Sequence, residues 1–167
     1  PNTMWALDFM YDTLYYGRSF RTLNVIDESN REVLAIEVDL SLPAARVVRV
    51  MEHLEEKVGL PKAIRLDNGS EPRSAIFTSW CAEKGIELKF IQPGKTQQNA
   101  FIERFNRTYR HEVLNAHIFE SQEQVRDITE EWIQSYNQDR PHAALGKLSP
   151  IHYRQQAEKS ALGVSTF

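Results

Sequence analysis

The sequence predicts an α/β domain built on a mixed five-stranded sheet flanked by helices. Three observations carry the prediction. Three β-rich runs follow one another between Thr3 and Val38, helix and strand patterns then alternate up to Ile91, and beyond Pro93–Gly94 the pattern is helical almost to the end. Strands joined by tight turns pair antiparallel, whereas strands joined through a helix pair parallel. The early strands therefore form an antiparallel meander, and the later ones pair in parallel.

Taken in order, Thr3–Met10 is a short apolar run that carries an acid toward its end. Tyr11–Ser19, with Asp12, Gly17 and Ser19, reads as a hairpin loop. Phe20–Ile26 and Val33–Val38 are rich in β-formers, with Asp27–Asn30 as the turn between them. Ser41 is placed to cap a helix with Pro43 in its first turn. Val47, Val50, Met51, Leu54 and Val58 recur at helical spacing, and Gly59 with Pro61 ends the run. Ala63–Leu66 is a short buried strand that delivers Asp67 to an Asn68–Gly69–Ser70 loop. Ile76–Lys84 is helical and stops at Gly85, and Ile86–Ile91 is the fifth strand. Gln98–Leu114 reads as one helix, and Ser121 with Gln124 forms a capping box for the next, which runs to about Asn137. Arg140–Pro150 is rich in turn residues, Ile151–Glu158 is a last short helix, and Ser160–Phe167 is expected to fray. This is the element order of an RNase H-like fold.

A chain of 167 residues can bury one core. We place the domain at residues 1–155, with 156–167 as a frayed tail. Hydrophobic residues at 41% and charged residues at 26% are ordinary for a globular protein. No apolar run approaches the roughly 18 residues of a membrane span. The lone Cys81 excludes an internal disulfide, suits a reducing cytoplasm, and reads as a small core hydrophobe. The first residue is Pro1 and no leader pattern follows it, so the chain is expected to be a piece of something longer. A net charge of −3 and a pI near 6.0 are far from the strongly basic footprint of a DNA-binding domain. That argues against tight DNA binding by this piece alone. It does not argue against DNA chemistry, because a metal-dependent nuclease site is acidic by necessity.

Three acids stand where such chemistry would need them. Asp8 ends the first strand, Asp67 follows the fourth, and Glu103 lies in the first turns of a helix. Carboxylate oxygens suit Mg²⁺ and Mn²⁺. Two such ions about 4 Å apart activate a nucleophile and stabilise the leaving oxygen of a phosphodiester. Yet the chain has 23 acids, so the 35 residues between Asp67 and Glu103 carry little weight alone. The helix around Glu103 says more. Ile102, Phe105, Tyr109 and Val113 share its apolar face, while Glu103, Arg107 and Arg110 share another. An acid with arginines at i+4 and i+7 is either an ion-paired helix face or a metal ligand flanked by phosphate-binding cations. From Lys95 to Leu114 four cations (Lys95, Arg104, Arg107, Arg110) stand against Glu103 and Glu112, a local +2 in an acidic chain. Those cations, together with Asn99, are the expected DNA contacts.

At these residues the chain resembles a known family. Trp5–Ala6–Leu7–Asp8–Phe9, Val25–Ile26–Asp27–Glu28, Leu66–Asp67–Asn68–Gly69–Ser70–Glu71 and Phe90–Ile91–Gln92–Pro93–Gly94–Lys95 match it. So do Gln98–Asn99–Ala100–Phe101–Ile102–Glu103–Arg104–Phe105–Asn106 and Tyr136–Asn137–Gln138–Asp139–Arg140–Pro141–His142, with Leu145–Gly146 and Ser149–Pro150 after them. The last two blocks are the specific ones. The family is the integrase core of bacterial insertion-sequence transposases of the DDE type, related to retroviral integrases. The resemblance implies that Asp8, Asp67 and Glu103 are the catalytic triad holding two Mg²⁺ or Mn²⁺ ions, with 35 intervening residues as the family's own spacing. It implies a basic residue against DNA at Arg110 and supporting polar roles for Gln98 and Asn99. It also implies cleavage of element-end DNA by water, followed by attack of the freed 3′-hydroxyl on target DNA with no covalent enzyme intermediate. The partners so implied are DNA and further copies of the chain assembled on it, in the bacterial cytoplasm at the nucleoid. The N-terminal helix-turn-helix region that reads element ends is absent from this sequence.

The sequence departs from the family in two places. Pro72 stands where an aromatic residue usually follows the acid at Glu71, and Thr96 replaces a proline after Lys95. A proline fixes φ and removes a donor, so the loop after Asp67 is expected to differ in shape. Two other functions stay open at this point: a structure-selective nuclease on the same fold, or a silent remnant that only binds DNA or self-associates. The five histidines show no zinc spacing, and His142 reads as a turn residue. Trp5, Trp80 and Trp132 sit on apolar patterns and read as core.

Overall fold

The computed structural model describes residues 1–67, 74–92, 94 and 96–163, without the side chains of 96, 98 and 163. The meander comprises β1 (Met4–Thr13), β2 (Ser19–Asp27) and β3 (Val33–Asp39). It is followed by α1 (Ala44–Val58), β4 (Ala63–Leu66), α2 (Ala75–Glu83) and β5 (Glu87–Phe90). The sheet order is β3-β2-β1-β4-β5, with β1 antiparallel to β2, β2 antiparallel to β3, and β4 parallel to both β1 and β5. This is the mixed five-stranded RNase H-like sheet that the element order predicts. One boundary differs. Tyr11, Asp12 and Thr13 still pair, with Thr13 opposite Ser19, so the loop shrinks to Leu14–Arg18. Tyrosine and threonine favour pleated backbone. The turn needs only one left-handed residue, which Gly17 supplies at φ 90°.

Alternation along the strands divides the interior in two. Trp5, Leu7, Leu23 and Val25 face α1 and α2, where Met51, Phe77 and Cys81 complete one core. Burial pushes the Cys81 thiol up to about 12, which makes it the inert apolar group expected of it. Ala6, Met10, Phe20 and Ile26 face the opposite way. Helix α1 buries Val47, Val50, Met51 and Leu54 as expected, but Ser41 does not cap it. Pro43 is the N-cap, and its carbonyl accepts the Arg46 and Val47 N–H groups. Ser41 lies two residues too early to reach the free donors of the first turn. In α2 the cap is Ser74, whose hydroxyl accepts the Phe77 N–H at 3.3 Å.

The helical half covers the second face. A 3-10 turn (Thr96–Asn99) leads into α3 (Ala100–Tyr109), which passes into one π-helical turn (Arg110–Leu114). The single α-helix expected over 98–114 therefore changes pitch at Arg110, where the Asn115 N–H donates to the Arg110 carbonyl at 2.7 Å. The wider turn buries Val113 and Leu114 together. In α4 (Gln122–Asp139) the Ser121 hydroxyl accepts the Gln124 N–H, and the Gln124 side chain accepts the Glu120 N–H. Phe105, Tyr109, Trp132 and Tyr136 stack between α3 and α4 with ring centroids 5.1 to 6.5 Å apart.

Helix α5 (Pro150–Gly163) is capped by Ser149, which explains the Ser-Pro pair as N-cap and first helical residue. The helix passes residue 155 and continues to Gly163, so residues 156–163 are helical and not frayed. No Gly or Pro interrupts 151–162, and Gln155, Gln156, Ala157, Glu158 and Lys159 are strong helix formers. Among the described residues no helix is long and apolar enough to cross a membrane.

Candidate active site

Asp8 does not end its strand, because β1 pairs with β2 as far as Thr13, but it stands beside Asp67 because β1 and β4 are parallel neighbours. The last β1–β4 pair is Leu7 with Leu66, and each acid is the next residue in its own chain segment. Asp67 is exposed and Asp8 half-buried. Glu103 stands half-buried in the first turn of α3. Asp8 interacts electrostatically with both of the others. The Asp8 carboxyl is pushed from 3.8 up to about 6, chiefly by burial and further by the charges of Asp67 and Glu103. Hydrogen bonds from the Phe9 N–H and Asn106 oppose the rise.

The environment of Asp8 contains two residues that sequence reasoning missed. Asn106 donates to Asp8 Oδ2 at 2.9 Å, and its carbonyl oxygen accepts from Asn24 at 2.8 Å. Asn24 is fully buried in β2 opposite Asp8, where its own oxygen accepts from the Thr22 hydroxyl at 3.0 Å. The Phe9 N–H donates to Asp8 Oδ1 at 2.9 Å. A relay Thr22–Asn24–Asn106–Asp8 thus ties the carboxylate to the core of the sheet. Asn106 carried a signal, since it is three residues after Glu103 and shares its helix face. Asn24 carried another: a polar residue inside an apolar strand must be hydrogen-bonded to be buried.

The cations expected near the triad divide. Arg104 and Arg107 are exposed on α3. Arg110 is engaged: it donates to the Tyr11 carbonyl at 3.0 Å and lies 3.6 Å from Asp12, bracing β1. Asn99 is buried beneath the start of α3 and not displayed at the surface, because the 3-10 turn rolls it inward. Lys95 and Pro72 lie outside the described residues. Among the described residues, neither Asp67 nor Glu103 has an ion-pair partner. Nor do any three acidic, histidine or cysteine side chains close around a common point. The donor set is nevertheless right for a hard divalent cation: carboxylate oxygens, with no ion pair from the described residues to Asp67 or Glu103.

Residues 1–96 match the sequence profile of the "Integrase core domain", and residues 84–150 match a second profile of the same description. The chain belongs to the integrase core domain family. Among its relatives are a 39.2 kDa protein of insertion element IS476 from Xanthomonas euvesicatoria and a 31.7 kDa protein of insertion element IS407 from Burkholderia multivorans. They are 40% identical over 97% of this chain and 37% identical over 100% of it. The chain spans 48% and 60% of their respective lengths, so this integrase core accounts for about half of such a protein. The fold recurs in the HTLV-2 integrase catalytic core domain in complex with magnesium, at a TM-score of 0.72 and 15% identity over 92% of this chain and 96% of that one. It recurs in the BIV integrase catalytic core at 0.71 and 16%, covering 97% and 99%.

Proposed function

We propose that this integrase core cuts DNA strands at the ends of an insertion element and joins the freed 3′-hydroxyl to target DNA, in a metal-dependent reaction. The observation that carries the reading is the adjacency of Asp8 and Asp67 where the parallel pairing of β1 with β4 stops, with Glu103 near enough to raise the Asp8 carboxyl. Like charges so placed destabilise the protein unless a cation joins them. Two Mg²⁺ or Mn²⁺ ions held by the three carboxylates would activate the attacking oxygen and stabilise the leaving one.

The chain's own residues perform the remaining tasks. Each Asp8 oxygen accepts one hydrogen bond, from Phe9 or Asn106, and keeps a second lone pair for a ligand. Asn106 thereby sets the orientation of Asp8. Arg104 and Arg107 are exposed on the helix that carries Glu103, placed for DNA phosphates. Lys95, Arg110 and Asn99 complete the expected DNA-facing set, the last two needing a rearrangement to reach a strand. No side-chain nucleophile is needed, and buried Cys81 is not one. Joining two element ends calls for at least two copies of the chain assembled on DNA.

The test is cleavage of element-end DNA with Mn²⁺ by the protein that contains this chain. Asp67→Asn or Glu103→Gln lowers the rate on the order of a thousandfold, the loss of several kcal/mol of metal-borne stabilisation. Thermal stability of the metal-free protein is not lowered in either variant, because each substitution removes a like charge beside Asp8. Full activity in either variant overturns the reading.

A further inference from the structure

The hairpin of β1 and β2 outruns the parallel half of the sheet and passes the end of β3 by two residue pairs, Asp12–Phe20 and Thr13–Ser19. Pairing of β1 with β4 stops at Leu7, whereas pairing with β2 continues six residues further, to Thr13 opposite Ser19. At about 3.3 Å per residue the hairpin end at Thr13 lies about 17 Å along β1 from Asp8. It is held firmly. Leu14 is buried in the core under the tip, and the Gly17 N–H closes the turn on the Leu14 carbonyl. The Tyr15 N–H donates to the Phe119 carbonyl at 2.7 Å, and Arg110 grips the Tyr11 carbonyl.

On this stiff arm three tyrosines face solvent: Tyr11, Tyr15 and Tyr16 are 59%, 74% and 63% exposed. Among the described residues Tyr15 and Tyr16 have no side-chain partner. Arg18 is exposed between the strands, and the Arg21 guanidinium lies 4.8 and 4.7 Å from the ring centroids of Phe9 and Tyr11. Residues 9–21 contain two arginines and one aspartate, +1 in a chain of −3. Exposed rings interleaved with cations on a rigid support are the composition that binds single-stranded nucleic acid, where any base offers a face for stacking. Within a duplex those faces are covered, so a ring stacks only on an unpaired or terminal base.

We propose that the β1–β2 arm is a stacking platform for unpaired bases of the DNA strand that enters the Asp8–Asp67 site, with Arg18 on the adjoining phosphates. The proposal rests on the DNA-cleaving reading of that site. The platform orients a frayed or cleaved end and supplies attraction that the acidic chain otherwise lacks.

The experiment uses the full chain and a duplex with a 3′ single-stranded overhang carrying 2-aminopurine, read by emission and by anisotropy, with a blunt duplex as control. Wild type quenches the emission. Tyr15→Ala with Tyr16→Ala loses the quenching and weakens overhang binding about tenfold or more, while Tyr15→Phe with Tyr16→Phe keeps both, and blunt-duplex affinity changes little. Absence of quenching by wild type, or equal behaviour of the alanine pair and wild type, overturns the proposal. So does a change in self-association of the alanine pair with overhang binding unaffected, which would make the arm and the neighbouring Ile118 a contact between copies of the chain. Asp67→Asn separates the two readings. It retains quenching while losing cleavage, and a wild-type chain that quenches but never cleaves refutes the transposase reading alone.

Discussion

The two ends of the meander treat polar groups in opposite ways. At the β2–β3 turn each acid has a hydrogen-bonded partner, although burial and the Asp27 charge still raise the Glu32 carboxyl. Asp27 accepts from the Asn2 N–H at 2.7 Å and from the Ser29 N–H and hydroxyl at 2.9 and 2.6 Å. Buried Glu32 accepts from Arg154 of α5 at 2.9 Å, and Asn137 of α4 clamps both the N–H and the carbonyl of Val33 at 2.8 and 2.9 Å. These contacts seal the open edge of β3 and anchor the last two helices. At the other end Asp8, Asp67 and Glu103 stand together without a cationic partner among the described residues, and burial raises Asp8 further. Matched polar groups hold a fold, whereas unmatched like charges lower its stability and persist where chemistry needs them. The same acidic residue type is thus a structural pin at Asp27 and a ligand candidate at Asp8.

The contrast can be broken at either end. The largest effect on stability is expected at the matched end. Asn137→Ala removes two buried hydrogen bonds and leaves the Val33 backbone groups unpaired, which costs about 2–4 kcal/mol in urea unfolding. Divalent-ion affinity at the distant triad should not change. Next comes Asp8→Asn, which should stabilise the metal-free chain. The Asp8 carboxyl is raised in the folded state, so its ionised form is disfavoured there and the penalty is full above about pH 6. Asparagine removes a penalty of up to about 3 kcal/mol at pH 7 but has one acceptor where Asp8 has two, so the lost hydrogen bond offsets about 1 kcal/mol of it, and the gain fades between about pH 6 and pH 4 as wild-type Asp8 binds its proton. Melting curves of the two proteins across that range check it, and a wild type that is the more stable at pH 7 refutes the electrostatic account. The smallest effect on stability sharpens the comparison. Asn106→Ala leaves a buried Asn24 donor without its oxygen, which costs about 1 kcal/mol, and lowers Mn²⁺ affinity and cleavage by about 10- to 100-fold, because a ligand without its orienting partner is poorly placed. Titration calorimetry with Mn²⁺ reads this directly, and unchanged affinity denies Asn106 a positioning role.

Much of this architecture is legible in single residues. Trp5, Leu7, Leu23 and Val25 alternate with Ala6, Met10 and Ile26, and that period of two reports a sheet buried on both faces. The stripe Ile102, Phe105, Tyr109 and Val113 is buried as its spacing requires. Local signals were weaker where they competed. Ser41 looked like a cap until Pro43 took the position, and the Tyr11–Thr13 stretch looked like loop until it found partners across the hairpin. Arg110 read as a cation for DNA phosphates, and its place at the start of a π-turn brings it onto Tyr11 and Asp12.

What the sequence determined by itself is the order of strands and helices, the acid that follows β4, and the family blocks around Glu103 and Tyr136. These depend on short-range patterning and residue identity. Only the tertiary structure decided that Asp8 adjoins Asp67, that Asn24 and Asn106 reach Asp8 from β2 and α3, and that the β1–β2 arm projects beyond them with its tyrosines exposed. Contacts between residues 82 and 98 positions apart are set by register and packing, which no local pattern encodes.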